Sequence, residues 1–564
     1  MKKIVYRFGV VDYVVFGGML LLSALTGVYI AWRNRAKRNE PDRLKDYLTG
    51  NKKLKSFPVA MSLIASYISG ITMIGTPAEI YNFGTQYWMV IFAMCFSGLI
   101  VATVYLPVFT TLEVCSSYEY LEIRFHKVLR SIASFFFLFD EGGLKAVVYT
   151  DTWQTIVMFI SLMVVVVVGI VDLGGFATIV HRAYEGERMQ PLNPSMYERY
   201  TIFSVLIGGC TYWTSFNAVN QTMVQRYLSL PTIKKAKFSI SIFTVGVVFF
   251  ISLCCFAGIL MYATYYKCDP LAAQRITTDD QLLPLYVMET AGHLHGIPGL
   301  FIAGVFGAAL RFSLSVVLNS TAIVLLEDFF RGLCHIDLSE RIATIIAKVI
   351  ITTLGVAAVA LVFVIELIGA GVFEVATTLS AIAAGTMFGV FSLGMLIPWA
   401  NTKGAIAGAV GGFLMSGITA YGRQAMIAQK YVVAHELPVS IEKCEEIYGI
   451  KNLTLPEVIY PDESNVFPLF RLSYLWVTPI GVASTMIVGI IVSFLTGKTD
   501  IRYLDPELIS PISQWMLPKE AQNYAGTAIK KVKHQRLLGS DQGLLPSQPV
   551  DLNDMRDQER SDDR

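Results

Sequence analysis

The sequence predicts an all-α polytopic membrane protein, and three observations support this fold class. Of the 564 residues, 54% are hydrophobic and only 16% are charged, and the mean hydropathy is +0.54. A soluble globular chain has about 45–50% apolar and about 25% charged residues. The apolar residues are also clustered in nearly uncharged blocks of about 20 residues or more, and each block is long enough to cross a bilayer core of roughly 30 Å.

Eleven apolar blocks are predicted to be full spans. They are residues 10–32, 56–83, 87–112, 146–172, 201–220, 236–266, 297–326, 341–367, 372–399, 403–421 and 472–496. A further apolar segment, 131–139, is too short to cross, so we interpret it as a re-entrant or interfacial stub. These blocks define a membrane domain over residues 1–500. The polar residues 501–564 are predicted to form a cytoplasmic, disordered tail.

Basic residues in the connecting loops predict the orientation of the chain. Lys and Arg concentrate in residues 33–55, 221–235 and 327–348, and such loops stay preferentially in the cytoplasm. We therefore expect the N-terminus outside and the C-terminus in the cytoplasm.

Three loops, 173–200, 267–296 and 422–471, then lie outside the membrane, and the last two contain one cysteine each. The lone loop cysteines Cys268 and Cys444 could form a disulfide there. A sequon begins at Asn452, where an outside asparagine could be glycosylated. The alternative, that both features occur by chance, is equally compatible with the sequence.

Small and hydroxyl residues interrupt several spans. Residues 62–81, SLIASYISGITMIGTPAEIY, mix Gly, Pro, Ser and Thr with apolar side chains, and residues 201–222 have a similar composition. Gly and Pro weaken helices, Ser and Thr supply oxygen ligands, and transporters bind their solutes where spanning helices are interrupted. The simpler interpretation is that small residues let helices pack closely. The density of both clusters favours unwound binding regions.

The chemistry of these breaks suits an ion-coupled transporter rather than an enzyme. Hydroxyl and carbonyl oxygens can coordinate a hard cation such as Na⁺. The sequence contains no HExxH, P-loop or CxxC motif, so we predict no enzyme activity and no cofactor besides Na⁺ as coupling ion. No acidic ring or filter-like repeat supports a passive channel. Membrane lipid is the expected environment, and no nucleic-acid partner is expected.

Six sequence runs carry a resemblance to a known family: residues 62–84, 118–130, 142–154 (GGLKAVVYTDTWQ), 220–227 (NQTMVQRY), 319–328 and 389–404 (GVFSLGMLIPWANTKG). On these runs, residues 10–500 resemble the sodium/solute symporter family. The branch with the greatest similarity is that of the sodium-dependent multivitamin, monocarboxylate and iodide transporters. The resemblance implies a LeuT-like inverted-repeat transporter fold with thirteen spans and Na⁺-driven alternating access.

The resemblance also implies site residues. Positions expected at the common sodium site are Ala65, Ile68, Ala308 and Ser313. Asp151 is expected near a second sodium site, although it could instead anchor the interface together with Lys145. The positions expected to contact the substrate are Tyr67, Ser69, Gly70, Tyr212 and Trp213.

The chain departs from the family pattern at two places. The family's fourth core helix is missing near residues 139–142, so the chain is internally truncated after Phe139. Arg311 and Phe312 stand where the family has small hydroxyl residues. An arginine at mid-span costs about 2.5–3.5 kcal/mol on insertion scales, and it would repel a bound Na⁺.

These observations predict a sodium-coupled symporter in the plasma membrane. Its substrate is expected to be a small organic anion, either a vitamin such as biotin or pantothenate, or a monocarboxylate, while iodide stays open. The alternative, motivated by the two departures, is a non-transporting, truncated isoform that modulates a full-length partner or is degraded.

Overall fold

The computed structural model describes most of the membrane domain. The described residues are 8–35, 54–112, 114, 117–137, 147–313, 372–450, 453–455 and 460–529, with scattered positions between 342 and 360. The predicted span 341–367, the end of the span 297–326 and the junction at 139–142 lie wholly or largely outside these residues.

The described elements are helices, which we number in chain order. They are α1 (Val10–Arg35), α2 (Ser56–Tyr67), α3 (Gly70–Phe83), α4 (Thr85–Leu112), α5 (Ser117–Arg124), α6 (Lys127–Phe137), α7 (Val147–Asp172), α8 (Phe176–Glu185), α9 (Gly209–Val219), α10 (Gln221–Leu228), α11 (Ile233–Tyr265), α12 (Leu282–Thr290), α13 (Ile297–Ser313), α14 (Val372–Leu396), α15 (Thr402–Ala428), α16 (Cys444–Tyr448), α17 (Pro468–Arg471) and α18 (Val477–Leu495). The predicted all-α class is confirmed for the described residues.

Five helical stretches among the described residues are long and apolar enough to cross a membrane. They are Thr85–Leu112, Gln154–Asp172, Ile233–Tyr265, Thr402–Ala428 and Tyr474–Leu495. Helices α2 and α3 form a sixth, broken span that bends by 60° between Tyr67 and Gly70. The predicted stub at 131–139 falls largely within α6, which ends at Phe137.

The long helix α11 lies at the centre of the core, because it packs against α2, α3, α4 and α7. Its fit against α3 depends on Gly258. A Cβ at this position would lie 2.5 Å from the carbonyl oxygen of Pro77, a distance that only glycine tolerates. The close approach fixes the broken span against the longest of the described helices.

A strap of residues 437–444 crosses one face of the molecule, which we call the disulfide face. The amide of Leu437 donates to the Asn82 carbonyl at the end of α3 (2.8 Å), and the Asp269 amide donates to the Ser440 carbonyl (2.9 Å). A disulfide joins Cys444 to Cys268, just beyond α11. The strap therefore connects the ends of α3 and α11.

Loss of this disulfide is expected to lower the stability of the purified protein. The bond closes a separation of 176 residues, so Cys268→Ser together with Cys444→Ser should cost about 2–4 kcal/mol, seen as a lower thermal midpoint. Cys95→Ser is the control, because Cys95 is a free cysteine, and it should leave the midpoint unchanged. Equal midpoints for the double variant and the wild type would contradict the expectation.

The C-terminal segment over residues 501–529 is ordered, so the prediction of a disordered tail from residue 501 is wrong for these residues. The Ser510 hydroxyl donates to the Val104 carbonyl (2.8 Å), and the Ser510 amide donates to the Met395 carbonyl (2.9 Å). The side chains of Leu508 and Ile509 are buried. Apolar residues spaced among the polar ones anchor this segment, which composition alone does not reveal. Residues 530–564 lie outside the described residues.

Candidate functional site

The break between α2 and α3 is built by Ile68 and Ser69, whose backbones are extended (ψ 108° and 165°). The Ile68 amide still donates to the Ile64 carbonyl at 3.0 Å, which ends α2. Ser69 starts α3 as its N-cap, because its hydroxyl accepts from the Thr72 amide at 3.1 Å. Serine is among the best N-cap residues, so the sequence dictates that a new helix begins here.

A helix break leaves backbone groups without intrahelical partners on both sides. The last carbonyls of α2, around Ala65, offer oxygen ligands to a cation. The amides of Gly70 and Ile71 precede the first intrahelical bond of α3, which runs from the Met73 amide to the Ser69 carbonyl at 3.1 Å. Together with the positive end of the helix dipole, these amides favour an anion. One break therefore presents both kinds of binding group.

A cavity of about 130 Å³ lies at this break. Its lining residues come from the break itself with the adjoining ends of α2 and α3, from α4, α9 and α14, from the segment before α9, and from the start of α18 with the residues before it. They are Tyr67, Ser69, Ile71, Thr72, Tyr87, Val90, Val205, Gly209, Tyr212, Trp213, Phe216, Ser380, Ala381, Tyr474, Leu475 and Thr478. None of these lining residues carries a charge, and the polar groups among them are hydroxyls and an indole. The cavity is an apolar, aromatic site with a few hydrogen-bond donors.

Tyr67 is a lining residue that carries a polar group without a hydrogen-bond partner. Its ring packs against Trp213 (centroids 4.6 Å apart), Phe216 (6.1 Å) and Phe243 (5.7 Å). The residue is buried, yet its hydroxyl has no hydrogen-bond partner. A buried hydroxyl without a partner costs about 1–3 kcal/mol. An acceptor in the cavity would recover this cost.

A second break separates α9 from α10 at Asn220, whose backbone is extended (ψ 129°) and whose side chain caps α10 through the Thr222 amide (2.8 Å). Arg226 on α10 is fully buried and donates to the Ser62 hydroxyl of α2 at 3.0 Å. This contact joins α10 to the first half of the broken span, on the side of the cavity away from the disulfide face.

Tyrosine rings close the cavity toward the disulfide face. Tyr87 and Tyr474 line the cavity, and Tyr200 packs on both, with ring centroids 4.9 Å and 6.2 Å away. Beyond them, Arg199 forms a two-pronged ion pair with Glu79 (2.8 and 3.0 Å). We call Glu79, Arg199 and Tyr200 the latch.

Acidic side chains surround the latch in the loops of the disulfide face. Burial raises the pKa of Asp279 and the pKa of Glu436, and neighbouring carboxylates raise both pKa values further. Arg199 acts in the opposite direction and lowers the pKa of Glu436. Arg199 is therefore a cation in a largely acidic environment.

Four of the five residues predicted to contact substrate line the cavity, namely Tyr67, Ser69, Tyr212 and Trp213. Gly70 does not line it, although it is the first residue of α3.

The residues predicted for sodium lie on three helices that contact one another. Ala65 belongs to α2 and Ile68 is its C-cap. Asp151 belongs to α7, and Ala308 and Ser313 belong to α13. The side chains of these last three lie outside the described part of the structure, as does Asn452. Helix α7 packs against both α2 and α13.

Sequence reasoning missed several lining residues, among them Tyr87, Ser380, Tyr474 and Thr478. Ser380 and Thr478 stand in ordinary apolar spans, where a single hydroxyl residue gives no signal. Tyr474 precedes a span and looks like an interfacial aromatic residue. Only the packing of distant helices brings these four together.

Comparison with known proteins assigns this arrangement to a family. The profile of the Sodium:solute symporter family matches residues 47–140 and 131–412. The two matches overlap over residues 131–140, next to the junction where the fourth core helix is predicted to be missing.

Curated relatives cover most of the chain. Sodium-coupled monocarboxylate transporter 1 from Homo sapiens is 33% identical over 559 residues, which cover 89% of this chain and 90% of the relative. Sodium-coupled monocarboxylate transporter 2 from Mus musculus is 31% identical, covering 90% and 87%. The sodium/iodide cotransporter from Homo sapiens is 29% identical, covering 92% and 88%.

A solved structure shares the fold. A Na⁺-coupled sialic acid symporter, in a substrate-bound, outward-open state, matches with a TM-score of 0.63 and 20% identity, covering 88% of this chain and 100% of that one.

Proposed function

Because this chain belongs to the sodium:solute symporter family, we propose that it imports a short-chain monocarboxylate together with Na⁺. The carrier binds both at the break between α2 and α3. Closure of the cavity alternates between the latch on the disulfide face and the Arg226–Ser62 contact on the other face.

One observation supports an anionic substrate: several uncharged hydrogen-bond donors lie around the cavity. The Tyr67 hydroxyl is buried without a partner, and the amides that begin α3 point their partial positive charge toward the same break. A carboxylate accepts from both kinds of donor. The absence of an acidic residue among the described lining residues also removes repulsion of an anion.

The lining of the cavity suits a short acid. Its aromatic walls and few hydroxyl groups fit a carboxylate that carries a small apolar tail. Two of the curated relatives are named as monocarboxylate transporters, which supports the same substrate class.

Sodium is proposed to bind next to this cavity. The carbonyls of Ala65 and Ile68 would supply ligands from the break, with Ala308 and Ser313 on α13 completing the site. Asp151 on α7 is proposed to take part in a second ion site.

The disulfide face is proposed to be extracellular, at the plasma membrane. A disulfide persists in an oxidising environment, and Cys268 and Cys444 form one here. The start of α1 lies on the same face, because the Asp12 carboxylate accepts from the Gly296 amide at 2.9 Å, so the N-terminus would also be outside.

Uptake of a radiolabelled monocarboxylate such as propionate tests this function. Cells that express the chain should accumulate at least several-fold more label in sodium medium than in choline medium. Equal uptake in both media would contradict sodium coupling. Competition with unlabelled biotin and iodide tests the substrate class, since sodium-dependent uptake blocked only by these compounds would overturn the choice of monocarboxylate.

A further inference from the structure

The latch is held by three hydrogen bonds to one carboxylate, that of Glu79. The Arg199 guanidinium donates through Nε and Nη2 to separate carboxylate oxygens of Glu79, at 3.0 and 2.8 Å. The Tyr200 hydroxyl donates to Oε2 of the same carboxylate at 2.7 Å. Both charged side chains are only 10% exposed. Such a charge-assisted, two-pronged pair is among the stronger polar contacts in proteins.

The latch connects directly to the cavity. The hydroxyl of Tyr200 lies 3.0 Å from that of Tyr474, and the Tyr200 ring lies on Tyr87. Tyr87 and Tyr474 are lining residues. The carboxylate of Glu79 is therefore one hydrogen bond from Tyr200, which touches both rings that close the cavity.

The latch also joins chain segments that are distant in sequence. Glu79 belongs to α3, Arg199 and Tyr200 precede α9, and Tyr474 precedes α18. The Ser473 hydroxyl donates to the Arg199 carbonyl at 2.7 Å, which fixes the segment before α18 to the same point. A path from the disulfide face to the cavity has to separate these segments.

We infer that Glu79 and Arg199 are positioning residues that hold the cavity closed toward the disulfide face. Their ion pair fixes Tyr200, and Tyr200 holds Tyr87 and Tyr474 over the cavity. Opening this face requires the pair to separate, so the pair sets how often solute reaches the cavity. The inference rests on the proposed function for its role in transport, but access to the cavity is measured without transport.

Arg188, a second buried cation on this face, serves as a comparison because its hydrogen bonds are purely structural. Arg188 donates to the carbonyls of Tyr81, Gly186 and Pro438 at 2.7–2.8 Å. Within the described part of the structure, its hydrogen bonds end on backbone oxygens of residues that do not line the cavity. Arg199 instead pairs with a side chain that moves with α3, the second half of the broken span.

A cysteine in the cavity reports its accessibility. Ser380→Cys exchanges one oxygen for sulfur at a lining position, and its rate of modification by a membrane-impermeant thiol reagent is measured on intact cells. The same chain without Ser380→Cys gives the background from its free cysteines. In this reporter, Glu79→Gln and Arg199→Gln should each speed modification about tenfold, since breaking a buried ion pair is strongly destabilising to the closed state.

Two further variants sharpen the result. The double variant should label no faster than either single variant, because both remove one shared interaction. Asp500→Asn is the matched control: Arg502 makes the same two-pronged contact with Asp500 (3.1 and 2.8 Å), but far from the cavity and exposed. It should leave the rate unchanged.

Tyr200→Phe is a milder variant that tests the inference even if Glu79→Gln and Arg199→Gln do not reach the cell surface. It keeps the ring and the ion pair and removes only the hydroxyl, so about fivefold faster labelling is expected from the loss of hydrogen bonds worth about 1 kcal/mol net. Labelling at the wild-type rate in every surface-expressed latch variant would overturn the inference, as would an equal increase in Asp500→Asn. Sodium-independent uptake would instead refute the proposed function and leave the labelling result standing.

Discussion

Tyr67→Phe is expected to raise the KM for the monocarboxylate about tenfold or more and to leave the protein at least as stable as the wild type. The variant removes a hydrogen bond to a charged group, which contributes about 1.5–3 kcal/mol. It keeps the ring contacts with Trp213 and Phe216. Because the hydroxyl is buried without a hydrogen-bond partner in the structure, its removal lifts a desolvation cost. Affinity and stability should therefore move in opposite directions.

Tyr227→Phe is the matched control for this prediction. Tyr227 on α10 is also buried, and its hydroxyl also has no hydrogen-bond partner, but it does not line the cavity. Both variants should raise or maintain the thermal midpoint, and only Tyr67→Phe should change the KM measured by sodium-dependent uptake. An unchanged KM in Tyr67→Phe would show that its hydroxyl does not bind the substrate.

Arg188→Met is expected to prevent stable folding. The guanidinium is fully buried, and it is the donor to the carbonyls of Tyr81, Gly186 and Pro438. Burial lowers the pKa of Arg188, although an arginine still keeps its proton at any physiological pH. Removing the cation leaves buried carbonyls without donors, each at about 1–3 kcal/mol. The total exceeds what most single substitutions cost.

Surface labelling and thermal unfolding measure this effect. Arg188→Met should be largely absent from the cell surface, while Arg188→Lys should be intermediate, because an ammonium cannot reproduce the planar fork. Arg502→Met, at an exposed arginine outside the membrane domain, should behave as the wild type. Normal surface levels and an unchanged midpoint in Arg188→Met would contradict a structural role for its hydrogen bonds.

Much of the fold could be predicted because membrane spans are read from long apolar blocks. The block 236–266 corresponds closely to α11, and the Gly, Pro, Ser and Thr of residues 62–81 predicted a break that the structure places between Tyr67 and Gly70. Ser69 is the local reason for this break, since it caps a new helix. The bend of 60° depends on packing against α11 and is not encoded locally.

The candidate site could be predicted only in part. Tyr67, Ser69, Tyr212 and Trp213 lie within the two dense clusters of polar residues and line the cavity. The latch could not be predicted, because Glu79 and Arg199 are separated by 120 residues and nothing in either local sequence pairs them. The order in the C-terminal segment was also hidden, since a few apolar anchors do not change its polar composition.

The anchoring of that C-terminal segment has a consequence for biosynthesis. The Ser510 hydroxyl reaches the Val104 carbonyl across 406 residues, so α4 lacks this contact while almost the whole chain is being made. Domains generally fold as synthesis proceeds, at about 5–20 residues per second, so this contact can form only more than about 20 seconds after α4 has been synthesised. Among the described residues, the segment around Ser510 therefore packs onto α4 only late in synthesis, after the described membrane helices have been made.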